Sequence, residues 1–274
     1  MAITTFVPQI WSARLLAHLD NALAARSFFN QDWAGEITDM GDTVRINQIG
    51  EVNIFEYSRN QDMAAPEQLN TAAQELVIDH ADAFNFQIDD IDQVQSRTAL
   101  MDSAMQRSAY ALADKEDTYL FGLLAAGAAA GNKIASTAIT SPEDAFALLV
   151  QLRTMLTKAN VPNQGRVIGV PPEMVGLLLS DKRFAGSGGA NAESNLQNGL
   201  IGRAAGFDIF ESNTLPGNNT IIAGHSVAAT YASQIVKTEA YRMEKRFADG
   251  LKGLSVYGAK VLVPEAIATA VVTF

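Results

Sequence analysis

Residues 89–122 read DDIDQVQSRTALMDSAMQRSAYALADKEDTYLFG, and no glycine or proline interrupts them before Gly122. A helix of about 30 residues would be a rod of roughly 45 Å. Apolar side chains recur at Ile91, Val94, Met101, Met105, Leu112, Tyr119 and Leu123, in steps that keep them on one side. Asp89, Asp90 and Asp92 stand where a helix N-terminus favours negative charge and acceptors for its free N–H groups. Gly122, Gly127 and Gly131 loosen the far end. Such a rod exceeds the usual globular helix, and its apolar edge needs something laid along it.

Outward from this rod, the 274-residue chain is long enough for a full core, and 48% of it is hydrophobic, the profile of a globular protein. It has no cysteine, which removes disulfides, thiolate metal sites and a cysteine nucleophile. The opening MAITTFVPQIW lacks the pattern of a secretion signal, and no apolar run reaches the ~18 residues of a membrane span. The net charge of −10 is uneven: residues 1–120 hold 19 acidic and 7 basic side chains, and residues 121–274 hold 11 and 13. An acidic chain is poorly suited to gripping nucleic acid by counterion release. One acidic part and one slightly basic part are suited to pairing between copies.

Along the chain, residues 8–26 read as a short amphipathic helix, with Pro8 in its first turn and Trp11, Leu15, Leu19 and Leu23 as a stripe. Thr43–Ile49 alternates apolar and polar, and Val52–Tyr57 continues after Gly50. Residues 58–73 are a polar tip, and Gln74–Ile88 alternates again, so the two runs predict an extended hairpin. A two-stranded hairpin is marginal alone, so its apolar positions need cover from elsewhere, including a neighbouring copy. Ser141-Pro142-Glu143-Asp144 starts a helix whose stripe is Ala145, Leu149, Leu152 and Leu156, stopped by Asn160 and Pro162. A strand at Val167–Val170, a helix from Pro172 to Leu179, a loop at 185–195, a helix at Asn198–Ala205 and strands at Phe207–Glu211 and Thr220–Ala223 follow. This alternation from 140 to 224 predicts an α/β subdomain. The remainder reads mostly as strand, split at Gly258.

The search for chemistry yields little. His18, His80 and His225 are far apart and fit no zinc motif. The aspartates at 89–92 offer ligands for a divalent ion, but helix capping explains them without one. The glycine loop at 186–189 lacks the Lys-Ser/Thr of a phosphate cradle, and Ser187 lacks the spacing of a hydrolase elbow. No catalytic, cofactor-binding or metal-binding residues are assigned, no cofactor is expected, and the expected answer is not an enzyme. Lys237, Arg242, Lys245, Arg246 and Lys252 are interleaved with Glu239, Glu244 and Asp249, which reads as a salt-bridged strand face or as a subunit contact.

The order of parts resembles the major capsid (coat) protein of tailed bacteriophages, in its short-tailed-phage branch. Local residues carrying the likeness are Phe6-Val7-Pro8-Gln9-Ile10-Trp11-Ser12, Gly41-Asp42-Thr43-Val44-Arg45-Ile46, Ala109-Tyr110-Ala111-Leu112-Ala113-Asp114, Gly206-Phe207-Asp208-Ile209-Phe210-Glu211-Ser212-Asn213 and Tyr257-Gly258-Ala259-Lys260-Val261-Leu262-Val263-Pro264-Glu265. The resemblance implies an α+β fold with residues 1–35 as an N-terminal arm and 36–88 as an extended loop. Residues 89–139 and 225–274 would be a peripheral domain with its spine helix, and 140–224 an axial domain. The axial segment of about 85 residues leaves no room for a large inserted domain. No Lys–Asn pair matching the family's self-crosslinking chemistry is identifiable.

What the resemblance implies is a structural protein that assembles into an icosahedral shell around a double-stranded DNA genome. Its partners would be many copies of itself in hexamers and pentamers, a scaffolding protein and a portal, with non-specific contact to packaged DNA and no membrane. Its place would be the virion capsid, assembled in the host cytoplasm. Arg45, Glu51 and Arg59 on the hairpin, and Arg242, Lys245 and Arg246 near the later strands, are the expected inter-subunit contacts. An encapsulin-like nanocompartment and a soluble α/β enzyme are the alternative readings.

Overall fold

The computed structural model describes residues 24–31, 43–49, 56, 59, 71–89, 100–180, 200–245 and 247–274. Its long helix, α1, spans Leu100–Gly127, 28 residues and about 42 Å. Met105, Ala109, Leu112, Ala113, Leu120, Phe121 and Leu124 are buried on it, at the spacing of one face. The sequence reading began this helix at Asp89. Asp89 is instead the last residue of strand β3 (His80–Asp89), paired with Ala248, while Asp90 and Asp92 lie outside the described residues. An aspartate at a strand end suggests a helix cap just as well as one at a helix start.

The hairpin is present, but its second arm is shorter than the alternation implies. Strand β1 (Thr43–Ile49) pairs antiparallel with β2 (Thr71–Val77), from Thr43 opposite Val77 to Ile49 opposite Thr71. After Ile78–Asp79 the chain enters β3 in a different sheet. The period of two survives the break, because Leu76 and Ile78 are both buried and β3 alternates from its first residue. Cover for the hairpin comes from its own chain: Val44, Ile46, Leu76 and Ile78 pack with Ala232 and Val256.

The later strands are β4 (Lys133–Ala138), β5 (Arg166–Val170), β6 (Leu200–Ala204), β7 (Phe207–Glu211), β8 (Thr220–His225), β9 (Ala229–Arg242), β10 (Ala248–Val261) and β11 (Ile267–Thr273). A three-stranded antiparallel sheet has the order β3-β10-β9, and β10 runs through Gly258 unbroken, against the expected split. A six-stranded sheet has the order β4-β11-β8-β5-β7-β6. It therefore recruits β4 and β11 from outside the 140–224 segment. Leu200–Ala204, expected to be helical, is strand β6, antiparallel to β7. Its pairing with β7 across the turn at Ala205 and Gly206, both at positive φ, outweighs local helix preference.

Helix α2 (Pro142–Lys158) has the expected start: the Ser141 hydroxyl accepts from the Asp144 amide, and the Asp144 carboxylate accepts from the Ser141 amide. Its stripe of Ala145, Leu149, Leu152 and Leu156 is fully buried. Helix α3 (Pro172–Ser180) packs on α2. At the end of α2 the Arg166 side chain is 2% exposed and has no carboxylate partner among the described residues. It donates to the Val161, Pro162 and Arg153 carbonyls and the Thr157 hydroxyl, at 2.6–3.3 Å. The negative end of the helix dipole thus takes the place of a counterion.

The expected helix at 8–26 lies almost wholly outside the described residues. Ala25–Phe28 forms a 3-10 turn that plugs the main core. The Phe28 ring meets Phe121 edge-on at 5.5 Å, and Phe29 lies 6.0 Å from Tyr231. Asn30 then bridges β9 at Thr230. The turn hangs from one side chain of α1: Asp117 accepts from the Ala24 and Ala25 amides, both at 3.0 Å. Burial pushes the Asp117 carboxyl up to about 6; the two amides oppose the rise, and Asp114 adds to it.

Asp117 gives a pH prediction. A group whose folded pKa is raised stabilises the fold below its unfolded value and loses that contribution as pH rises through its folded one. A shift of about two units corresponds to about 3 kcal/mol. Between pH 4 and pH 7, the unassembled wild-type chain should lose about that much unfolding free energy relative to Asp117→Asn in urea melts. Parallel pH profiles would show that the carboxyl titrates normally. Arg166→Met should cost about 3 kcal/mol or more, because it strands buried carbonyls. Arg166→Lys should recover only part, since an ammonium lacks the fork; melting temperatures equal to wild type would refute the role.

Candidate assembly surfaces

The charged residues singled out in the sequence fall into two groups at opposite ends of the three-stranded sheet. At the hairpin, Arg45 is exposed and reaches Glu75 on the facing strand at 3.3 Å. Arg59 is exposed, and Glu51 lies outside the described residues. At the other end, the turn after β9 carries Arg242 and Lys245, both exposed, while Arg246 lies outside the described residues. Hairpin residues pack at Val256 and β10 begins at Ala248, so eight residues of strand, about 27 Å, separate the groups. One copy does not bring them together.

The interleaved charges near the end of β9 are paired across the ladder. Arg242 donates to Asp249, its register partner on β10, at 2.9 Å. Lys252 meets Glu239, also its register partner, at 2.8 Å. Cross-strand pairs so exposed add little stability, but they hold the side chains in place. Lys245 has no such ladder position. Beside it Phe247 is 80% exposed, the largest exposure among the described large apolar residues. Sequence reasoning passed over Phe247 because a lone aromatic in a turn has no periodicity to flag it.

A polar and aromatic cluster stands where the hairpin joins the sheet. The His80 ring lies 4.0 Å from Tyr119 on α1 and stacks on Tyr257 of β10 at 5.5 Å. The Tyr257 hydroxyl donates to Asp82 at 2.7 Å, and Lys115 also bonds Asp82. Burial would raise the Asp82 carboxyl, but the bonds from Lys115 and Tyr257 outweigh it and hold it below the usual carboxylate range. Burial and the Asp82 bond push the Tyr257 phenol well up. Of the other histidines, His225 caps the 3-10 turn Ser226–Ala228 by accepting from the Val227 amide, and His18 lies outside the described residues.

Among the described residues no group of three or more His, Asp and Glu is placed to hold a metal, and no helix is long and apolar enough to cross a membrane. Two depressions lie among the described residues singled out above. One of about 650 Å³ is lined by Tyr241, Arg242, Met243, Glu244 and Lys245, and one of about 290 Å³ lies between α1 and residues 211–214. Among the described residues the features that stand out are the β1–β2 hairpin and a charged turn with an exposed aromatic at Phe247.

Comparison with known proteins supplies the family. The sequence model of the phage capsid protein family matches residues 73–270. Among curated proteins, no relative matches. Among solved structures, a chain of Mycobacterium phage Che8 is similar at 30% identity and a TM-score of 0.70, with 90% of each chain covered. A chain of the cyanophage P-SCSP1u capsid has 16% identity and a TM-score of 0.68, covering 86% of this chain and 85% of its own. A virus-like particle from Pyrococcus furiosus shares the fold at 12% identity and a TM-score of 0.59, covering 96% and 98%. The family match spans well over half of the sequence, and the chain belongs to the phage capsid protein family, as a structural, non-enzymatic protein of the virion capsid.

Proposed function

We propose that the chain tiles a closed icosahedral shell around double-stranded DNA, as hexamers and pentamers. The observation that carries this reading is the separation of the hairpin from the charged turn within a chain of capsid family. A surface that cannot meet its complement in one copy is suited to meeting it in the next. Residues 1–35 serve as the N-terminal arm, 36–88 as the extended loop, 89–139 with 225–274 as the peripheral domain, and 140–224 as the axial domain. Under this division the six-stranded sheet mixes strands of both domains, β4 and β11 coming from the peripheral segments.

In this reading the hairpin, with Arg45, Glu51 and Arg59, lies against the turn of a neighbour that carries Arg242, Lys245 and Arg246. The acidic balance of residues 1–120 supplies the attraction, and Phe247 supplies apolar area. The net charge of −10 keeps free subunits apart until a scaffolding protein or concentration drives closure in the host cytoplasm. One position of the shell is taken by a portal. Contact with packaged DNA is weak and non-specific, since an acidic subunit offers few cations for phosphate. The likeness to the Pyrococcus virus-like particle is one of fold, and purified particles filled with protein instead of DNA would favour a nanocompartment.

Light scattering and negative-stain microscopy of the expressed chain, with any scaffold encoded beside it, test this. Closed particles are the expected outcome, and lone molecules under every salt and concentration tried would overturn it. Charge reversal tests the contact. Arg242→Glu would also break the in-chain pair with Asp249, so Lys245→Glu with Arg246→Glu is the cleaner variant. It should cut shell yield several-fold with an unchanged circular dichroism spectrum; full yield would refute the contact. Raising the salt from about 50 to 500 mM should ease assembly of the wild type by screening its repulsion. A yield indifferent to salt counts against that mechanism.

A further inference from the structure

We propose that the hairpin root is a rigid seat and that Gly258 sets the direction in which the hairpin leaves the subunit. Only Ile78 and Asp79 link β2 to β3. That link crosses β10 at Gly258. A Cβ there would strike the Val77 carbonyl oxygen and come within 2.9 Å of the Ile78 Cδ1 and 3.0 Å of its Cα. Two of the three obstacles are backbone, so no rotamer change relieves the collision.

The link is gripped on both sides. On the hairpin side, Leu76 and Ile78 are 0% exposed, packed with Val44 and Ile46 on Ala232 and Val256. Gln74 donates to the Leu262 carbonyl at 3.4 Å, tying β2 to the chain just beyond β10. On the sheet side, His80 is held between Tyr119 and Tyr257, and Asp82 takes bonds from Tyr257 and Lys115. Swinging the hairpin about Ile78–Asp79 would expose two buried aliphatic side chains and unstack an aromatic ring. A segment with this density of buried contact moves with the body and does not act as a free hinge. Gly258, Tyr257 and His80 are therefore positioning residues. The seven residues of β1 extend about 23 Å, so a tilt of about 10° at the root displaces the far end by about 4 Å, enough to miss a neighbour's surface.

The inference rests on the reading that copies meet through the hairpin, and two variants separate the two ideas. Gly258→Ala forces the link away from β10. It should keep the wild-type circular dichroism spectrum and form capsomers, but give closed shells of wild-type diameter at under a tenth of the wild-type yield. His80→Ala introduces no collision and only opens the clasp. It should raise amide exchange at residues 76–82 at least tenfold in the unassembled chain, and broaden the distribution of particle diameters. Gly258→Ala shells of normal size and yield would overturn the proposal. If that variant does not fold, unchanged exchange at 76–82 in His80→Ala overturns it instead. A wild type that never assembles would remove the shell reading, while the exchange measurement would still decide whether the root is a seat.

Discussion

Close approach to β10 is the constraint on which the rest of this subunit depends. The strand reads ADGLKGLSVYGAKV, and glycine in a strand interior costs about 0.5–1 kcal/mol relative to alanine. Each glycine lies where something must come nearer than a side chain permits. A Cβ at Gly253 would enter the Phe84 ring, which helps fill the space between the sheet and α1 beside Leu112 and Ala113. A Cβ at Gly250 would meet the Tyr241 ring, whose hydroxyl reaches Asn85 across the sheet at 2.7 Å. Gly258 admits the hairpin link. Aromatic burial over a bare backbone more than offsets the loss of β propensity. One strand thereby receives the helix on one face and the hairpin on the other.

The parts legible in the sequence are those where one local rule acts alone. Ser141 with Asp144 is a cap whatever surrounds it, and the α2 stripe of Ala145, Leu149, Leu152 and Leu156 needs only a core to face. The α1 periodicity is equally readable from Met105 to Leu123. What the sequence hides is where two surroundings share one pattern. The alternation through residues 74–88 runs unbroken although the chain changes sheets at Ile78–Asp79, because both sheets ask for every second side chain. Asp89 satisfies a strand end as well as a helix start. Glu116 and Asp117 are both buried, and nothing in the helix periodicity marks them as such. The need for Asp117 arises from Ala24 and Ala25, more than 90 residues earlier, which no window on the sequence joins to it.

The charged and aromatic clusters divide in the same way. Interleaved charges around residues 237–252 foretell paired side chains, and the ladder pairs Arg242 with Asp249 and Lys252 with Glu239. The clasp of His80, Tyr119, Tyr257 and Asp82 draws on three separate elements and has no signature in any of them. Internal pairing has a physical effect on association. Charges already matched within a copy attract little from outside, which sets them apart from the exposed Lys245 and Phe247, for which no such ladder pair is seen among the described residues.

The place of β11 bears on how the subunit is made. It is the last of the strands in chain order, yet it lies inside the six-stranded sheet, parallel to β4 on one side and antiparallel to β8 on the other. Until it arrives, β4 has no neighbour in that sheet and one edge of β8 is bare. During translation the polypeptide therefore carries an unfinished sheet until residue 273 has left the ribosome. Completion of the six-stranded sheet, and of the core beneath it, waits on the last strand to be made.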